Sequence, residues 1–270
     1  NMAVDEAVVL AVEQGHALPT IRVFGWEPPA VSFGYAQRVD REIDPEKCRS
    51  LGIDIVRRPS GGRAVLHWNE LTYSVLCSAD DPFLGGSIQD SYRKISACLV
   101  AGIRQLGVKA EFEPRHNRVP SPRADTLTSP CFSSTTQYEI TLEDRKLLGS
   151  AQRRLGGMVL QHGSLLLGPE HKRIVDLFPD SQAGLRERFE KQLDEKTTSL
   201  SETGGSFEFE EVARALLAGF RDTLGLSIAT ESLSAHEKLL AEQLVQDKYG
   251  TNDWNLRNSG GDNPETRQLV

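Results

Sequence analysis

Short alternating runs dominate the chain between Thr20 and Leu167, with no repeating strand–helix unit among them. That pattern limits the fold more than any other feature. Thr20-Ile21-Arg22-Val23-Phe24-Gly25-Trp26 alternates like a strand, Pro28-Pro29 stops it, and Ala30 to Tyr35 restarts an extended run. Ile53 to Arg58 and Leu71 to Cys77 read as strands separated by a Gly-Gly turn. Tyr138 to Leu142 and Lys146 to Ala151 read as a hairpin across Glu143-Asp144, and Met158 to Leu167 as a further strand. Helical spacing is expected in Met2 to Glu13, where Val4, Val8, Leu10 and Ala11 lie near a 3.6-residue period. It is also expected in Asp44 to Leu51, with Pro45 in the first turn, and in Ile88 to Leu106, where Ile95, Leu99 and Ile103 recur every four residues. Without regular βαβ alternation a doubly wound sheet is excluded. The expected class is α+β, a mixed sheet flanked by helices.

Glu113 to Pro130 carries four prolines and reads as a long loop. Beyond Leu167 the pattern is mainly helical: Lys172 to Leu177, Leu185 to Lys196, Phe209 to Leu224 and Ser234 to Lys248. The acidic, serine-rich stretch from Asp194 to Glu210 is the one candidate boundary. It divides an expected catalytic domain, residues 1–200, from a C-terminal helical segment, residues 201–270, packed on the same domain.

With 39% hydrophobic and 26% charged residues over 270 positions, the chain can bury a sizeable core, and a disordered or fibrous reading fails. The net charge of −7 argues against binding nucleic acid. No apolar run reaches the roughly 18–20 residues of a membrane helix, and no leader pattern opens the chain, so no membrane partner is expected. Cys48, Cys77, Cys98 and Cys131 form no CxxC pair, so no metal site is expected. Scattered free thiols fit a reducing, cytoplasmic location.

Three constellations carry chemistry. In Arg57-Arg58-Pro59-Ser60-Gly61-Gly62-Arg63-Ala64-Val65-Leu66-His67, paired glycines let the backbone approach a ligand while arginines offer forked donors. The same residues also read as an ordinary turn with solvated arginines. It is no P-loop, because no Gly-Lys-Ser/Thr follows. Cys131-Phe132, preceded by Pro130, lies in the long loop, and Lys146 follows fifteen residues on, ahead of Gly149-Ser150-Ala151-Gln152. An ammonium near the thiol would favour the thiolate; otherwise the two are a passive loop thiol and a solvated strand-end lysine. Gln161-His162-Gly163-Ser164 offers a histidine with no carboxylate at a spacing that would orient it. Without GxSxG, a triad built on Ser164 is rejected.

Taken together, these segments resemble the biotin/lipoate protein ligase and acyltransferase superfamily, from Asn1-Met2-Ala3-Val4-Asp5-Glu6-Ala7 to about Pro179, and again at Lys248-Tyr249-Gly250 and Trp254-Asn255. Pro28-Pro29-Ala30-Val31-Ser32-Phe33-Gly34 belongs to the same set. Ligases of the family carry a third glycine where this chain has Arg63. Gly-Gly-Arg-Ala-Val-Leu-His with Glu70-Leu71-Thr72-Tyr73-Ser74 is instead similar to the LipM-type octanoyltransferases. So are the Cys131-Phe132 and Arg145-Lys146 spacing and Tyr138-Glu139 between them. Trp68 stands where the family has an acidic residue. Relatives also place a short strand before the first helix, so the sheet edge is expected to be incomplete.

The resemblance implies Cys131 as the acyl-thioester nucleophile and Lys146 as the group that lowers its pKa. Arg58, Ser60, Gly61, Gly62, His67, Gly149, Ser150, Ala151, His162 and Gly163 would form the substrate-binding surface. The implied reaction moves an octanoyl group from acyl carrier protein to a lysine of a lipoyl-domain protein such as the glycine-cleavage H protein, with no cofactor. A lipoate–protein ligase reading would instead require ATP and Mg, with Cys131 incidental. A third reading, a non-catalytic acyl- or lipoyl-binding protein, leans on Trp68.

Overall fold

The computed structural model describes residues 1–114 and 138–257. In chain order the elements are α1 (Met2–Glu13), β1 (Thr20–Phe24), β2 (Ala30–Phe33), α2 (Val39–Glu42), α3 (Pro45–Ser50), β3 (Asp54–Arg57), β4 (Val65–His67), β5 (Glu70–Ser78) and α4 (Ile88–Gln105). They continue with β6 (Glu111–Pro114), β7 (Tyr138–Leu142), β8 (Arg145–Leu155), β9 (Met158–Leu166), α5 (Arg186–Lys196), α6 (Phe209–Leu224), α7 (Ala235–Leu244) and α8 (Asn252–Asn255). Six strands make a large sheet in the order β1-β5-β9-β8-β7-β6, and three make a small one in the order β3-β2-β4.

Every pairing in the large sheet is antiparallel. The expected mixture of directions is confined to the small sheet, where β2 runs parallel to β3 and antiparallel to β4. The Glu143-Asp144 hairpin forms as expected, both residues taking positive φ (51° and 62°), the geometry that matches a two-residue turn to the twist of its strands. Asp44 caps α3 by accepting from the Glu46 N–H at 2.9 Å, with Pro45 at the first helical position. Two short strands escaped the sequence reading. β4 has only three residues and lies inside the segment read as a turn. β6 falls in the stretch read partly as loop.

The two faces of the large sheet have different partners. Leu71, Tyr73, Val75 and Cys77 of β5 face α4 and α6, where Ile95, Leu99 and Ile103 meet Val212, Leu216 and Phe220 in one core. Each such side chain contributes about 2 kcal/mol by leaving water. The opposite face takes α1, whose Val8 and Val9 cover Leu76, Met158 and Leu160. Beside α1, the small sheet and α5 enclose a second core around Val31, Phe33, Leu66, Leu166, Ile174 and Phe189. On α1 the buried stripe is Ala7, Val8, Val9 and Ala11 together with Asp5, while Val4 and Leu10 are only half-buried. Cys48, Cys77 and Cys98 are buried free thiols whose pKa burial pushes up to about 12, so they are core residues rather than nucleophiles.

His171, in the 3-10 stretch Pro169–Leu177, lies between the Gly168 carbonyl and the Thr197 hydroxyl. Burial lowers its pKa to about 4. Because the folded pKa lies below the unfolded value of about 6.5, the unfolded chain binds the proton first, and stability falls as pH drops from about 6.5 to about 4. The full loss is on the order of 3 kcal/mol. Melting temperatures measured across that window should fall steeply in the unmutated chain and less steeply in His171→Gln. An equal slope in the variant contradicts this.

Candidate functional site

Antiparallel partners share a sheet face, so the pairing register alone arranges the site. Arg22, Ser74, His162 and Ala151 are successive partners across β1, β5, β9 and β8. They form one row on the face turned away from α4. The next row is Phe24, Thr72, Ser164, Gly149 and Glu139, extending onto β7.

Helix α1 sets Asp5 onto the first row. Its Oδ1 accepts from the Ser74 hydroxyl at 2.7 Å and from the Arg22 guanidinium. Its Oδ2 faces His162 Nδ1 at 3.6 Å, longer than a hydrogen bond, and both atoms are buried without another partner. On the far side of the ring, His162 Nε2 lies 2.5 Å from the Ser60 hydroxyl. Burial alone would raise the Asp5 pKa, but His162, Arg22 and Ser74 outweigh it and hold the carboxyl below its ordinary value. Burial lowers the His162 pKa, with Asp5 opposing. A neutral His162 that keeps its proton on Nδ1, toward Asp5, leaves Nε2 to accept from Ser60.

A second line of the same make-up runs alongside. Glu70 accepts from the Thr72 hydroxyl at 2.6 Å and from Ser164. His67 Nδ1 stands 3.4 Å from Glu70, and its Nε2 is 2.7 Å from the Ser32 hydroxyl. Trp26 stacks on His67 with centroids 4.4 Å apart and donates Nε1 to Thr72 Oγ1 at 2.9 Å. A recess of about 470 Å³ reaches His67 from the side of Trp26, Trp68 and Phe209. Trp68 is half-buried against the second core, with the Arg173 guanidinium 4.5 Å from its ring centroid.

Both lines end on the Gly61-Gly62 turn. Arg58 donates to the carbonyls of Ser32 (2.8 Å), Gly61 (2.9 Å) and Arg63 (2.7 Å), so it closes the turn around itself and is not a solvated arginine. Gly62 has φ +96°, and a Cβ on Gly34 would stand 2.0 Å from the Gly62 carbonyl oxygen. Only glycine permits that approach. Gly61 and Gly62 are themselves exposed and available to a ligand.

Lys146 is not a solvated strand-end lysine: it is 4% exposed, and its Nζ donates to Glu139 Oε1 at 2.7 Å. The register shifts between Ile140 and Thr141, which lets Leu147 and Leu148 both enter the first core and re-aims the strand beside Lys146. Since Glu139 pairs with Gly149, its carboxylate shares the face of His162 and Ala151.

Register therefore places Gly149, Ala151, His162 and Glu139, the partner of Lys146, on one face, and side-chain hydrogen bonds link Ser60 to His162, and His67 through Ser32 and Arg58 to the Gly61-Gly62 turn. It does not bring Ser150 and Gly163 to that face. They pair with each other and look toward α4, where the Ser150 hydroxyl meets Tyr73 OH at 2.7 Å and a Cβ on Gly163 would lie 2.6 Å from the Tyr73 ring. Ser164 spends its hydroxyl on Glu70, in keeping with the rejected triad. The expectation that no carboxylate orients His162 is corrected: Asp5 does, from 157 residues earlier in the chain. Its only sequence signal is an acid on the apolar stripe of α1. Ser32, Ser74 and Glu70 belong to segments that carry the resemblance, but their part in the site is not readable there, because alternation marks a strand without marking which polar residues face inward. Cys131 lies outside the described residues.

A model of the lipoyl protein ligase A/B catalytic domain matches residues 1–221, and the chain belongs to that family. Within it, a relative from Kyrpidia tusciae named octanoyltransferase LipM is 43% identical over 260 residues, covering 95% of this chain and 94% of its own. The namesake from Geobacillus kaustophilus is 37% identical over 259 residues, covering 95% and 93%. Among solved structures, the fold is similar to the bipartite lipoate protein ligase of Thermoplasma acidophilum (TM-score 0.77, 23% identity, 97% and 93% covered). It is similar also to a lipoate-protein ligase A bound with ATP (TM-score 0.73, 25% identity, 94% and 92% covered).

Removing the Asp5 carboxylate strands Arg22, Ser74 and His162 together. Asp5→Ala should lower stability by about 3 kcal/mol or more in urea denaturation, the cost of breaking a buried charged pair. A loss under about 1 kcal/mol would show that the carboxylate does not organise this face.

Proposed function

We propose that this chain is an octanoyltransferase of lipoate assembly, an acyltransferase that works through a thioester on Cys131. The observation that carries the reading is the buried Lys146–Glu139 pair, which fixes an ammonium on the face of Gly149, Ala151 and His162. Octanoyltransferase relatives that match almost end to end support the same assignment.

In the first half-reaction the Cys131 thiolate attacks the carbonyl carbon of octanoyl-acyl carrier protein. The carbon–sulfur bond to the carrier breaks, and the carrier thiolate leaves and takes up a proton. Lys146 favours the Cys131 thiolate through its positive charge. In the second half-reaction a lysine amine of a lipoyl domain, such as the glycine-cleavage H protein, attacks the enzyme thioester. An amide forms, the bond to Cys131 breaks, and the amine proton is released. Exposed N–H groups of the Gly61-Gly62 turn are the candidate oxyanion donors, worth about 3 kcal/mol each when well placed. Aminolysis of a thioester is downhill, so the reaction needs neither ATP nor a metal. The free thiols of Cys48, Cys77 and Cys98 support a cytoplasmic location, and among the described residues no helix is long and apolar enough to cross a membrane.

Incubation with octanoyl-acyl carrier protein without ATP should add the mass of one octanoyl group to the unmutated chain and none to Cys131→Ala. Lys146→Met should acylate about a hundredfold more slowly near neutral pH and recover as rising pH forms the thiolate unaided. An adduct on Cys131→Ala, or protein acylation that occurs only with ATP and free acid, would overturn the reading in favour of a ligase.

A further inference from the structure

Arg153 and Arg257 both lie against Tyr35, their guanidinium carbons 4.9 and 4.2 Å from its ring centroid. Arg257 is also 4.5 Å from the Trp254 ring, which Lys248 approaches to 4.3 Å. Alongside, Arg57 is fully buried and donates to the carbonyls of Gly34, Tyr35, Gln37, Trp254 and Arg257. Among the described residues, no carboxylate pairs with Arg57, Arg153 or Arg257; Glu6 serves only Lys248 in this group.

Elsewhere in this chain of net charge −7, Arg22, Lys47, Arg145, Lys146 and Arg186 each have an acid. Aromatic faces offset part of the repulsion, about 0.5–2 kcal/mol per contact. Burial, followed by the charges of Arg257 and Arg58, lowers the Arg57 pKa to about 10. The Nε of Arg257 is buried with no hydrogen-bond partner. Carbonyl dipoles compensate Arg57, and Arg257 Nη2 donates to the Tyr35 carbonyl at 2.9 Å, which leaves Arg153 and the Nε side of Arg257 as guanidinium donors short of an anion.

The cluster borders the reaction face. The Tyr35 N–H donates to the Ser60 carbonyl at 2.8 Å, and Gly34 abuts Gly62. Arg153 follows Ala151 by two residues on β8 and so shares its face. From Gly149 to Arg153 the strand covers four residues, ~13 Å. A phosphopantetheine arm, extended from sulfur to phosphorus, has the reach of about four peptide units, on the order of 15 Å.

We propose that Arg153 and Arg257, held by Tyr35, form an anion subsite for the phosphate of the donor's phosphopantetheine arm, while its thioester lies at Gly149–Ala151. The inference rests on the carrier-thioester reading above. Forked guanidinium donors suit phosphate oxygens, and the stacked ring holds them in place without neutralising them.

The test compares octanoyl-phosphopantetheine with octanoyl-pantetheine, which lacks the phosphate, as donors to the full chain, read by intact mass over time. The unmutated protein should acylate about tenfold faster per unit concentration with the phosphate-bearing donor, as a charge-assisted hydrogen bond gives. The preference should shrink as salt rises. Arg153→Met should lose most of it and leave the rate with octanoyl-pantetheine unchanged, and Arg153→Lys should retain part. Both donors are measured on one preparation, so a folding defect lowers both rates and leaves their ratio. Equal rates for the two donors on the unmutated chain would overturn the subsite alone. No acylation by either, with protein acylation once ATP is supplied, would overturn the carrier reading and the subsite with it, and assign the cluster to nucleotide phosphate.

Discussion

Asp5 sits without solvent contact between α1 and the large sheet, and groups from three strands converge on it: Arg22 from β1, Ser74 from β5 and His162 from β9. A buried carboxylate is costly unless its lone pairs are answered, and here a guanidinium and a hydroxyl answer Oδ1 while His162 faces Oδ2. The arrangement docks α1 by more than its apolar stripe and selects the orientation of His162. His162 in turn receives Ser60, the residue that begins the Gly61-Gly62 turn. One charge near the start of the chain thus reaches the Gly61-Gly62 turn.

The second line, Glu70–His67–Ser32, does the same for the other side of the turn, through Arg58. Arg58 donates to the carbonyls of Ser32, Gly61 and Arg63, and its own charge is compensated by those dipoles. A glycine turn carries the entropic penalty of its flexibility unless something fixes it. Here two serine–histidine–carboxylate lines and one arginine do so, which makes its N–H groups preorganised donors. The ion pair of Lys146 with Glu139 closes the far edge of the same face. The polar groups are thus concentrated on the face of the large sheet turned away from α4 and α6, while the α4–α6 side is mostly apolar.

Much of this was legible in the sequence. Strand-like runs gave β1, β2, β3, β5, β7, β8 and β9, and the four-residue recurrence of Ile95, Leu99 and Ile103 gave α4. The strand–helix order excluded the doubly wound alternative. The Arg-Arg-Pro-Ser-Gly-Gly block and Gln161-His162 stand out in the sequence as candidate segments, and the fold joins them through Ser60 and His162. What stayed hidden depends on register. Whether Ser150 or Ala151 shares the face of His162 is a matter of one residue in pairing, and alternation alone does not decide it. Asp5 was obscure for a different reason. On a helix with many small apolar residues, its burial is set by the sheet against which α1 packs, through contacts at 17, 69 and 157 residues along the chain. β4 is too short for any periodic signal.

The central claim is that acyl transfer proceeds through the protein itself, with no nucleotide. It is tested most directly by isolating chain that has been incubated with octanoyl-acyl carrier protein, freed of donor, and mixing it with a lipoyl domain in the absence of ATP. The account predicts that the octanoyl mass leaves this protein and appears on one lysine of the lipoyl domain as an amide stable to hydroxylamine. Retention of the octanoyl group on this chain, or transfer only after ATP is added, would contradict it.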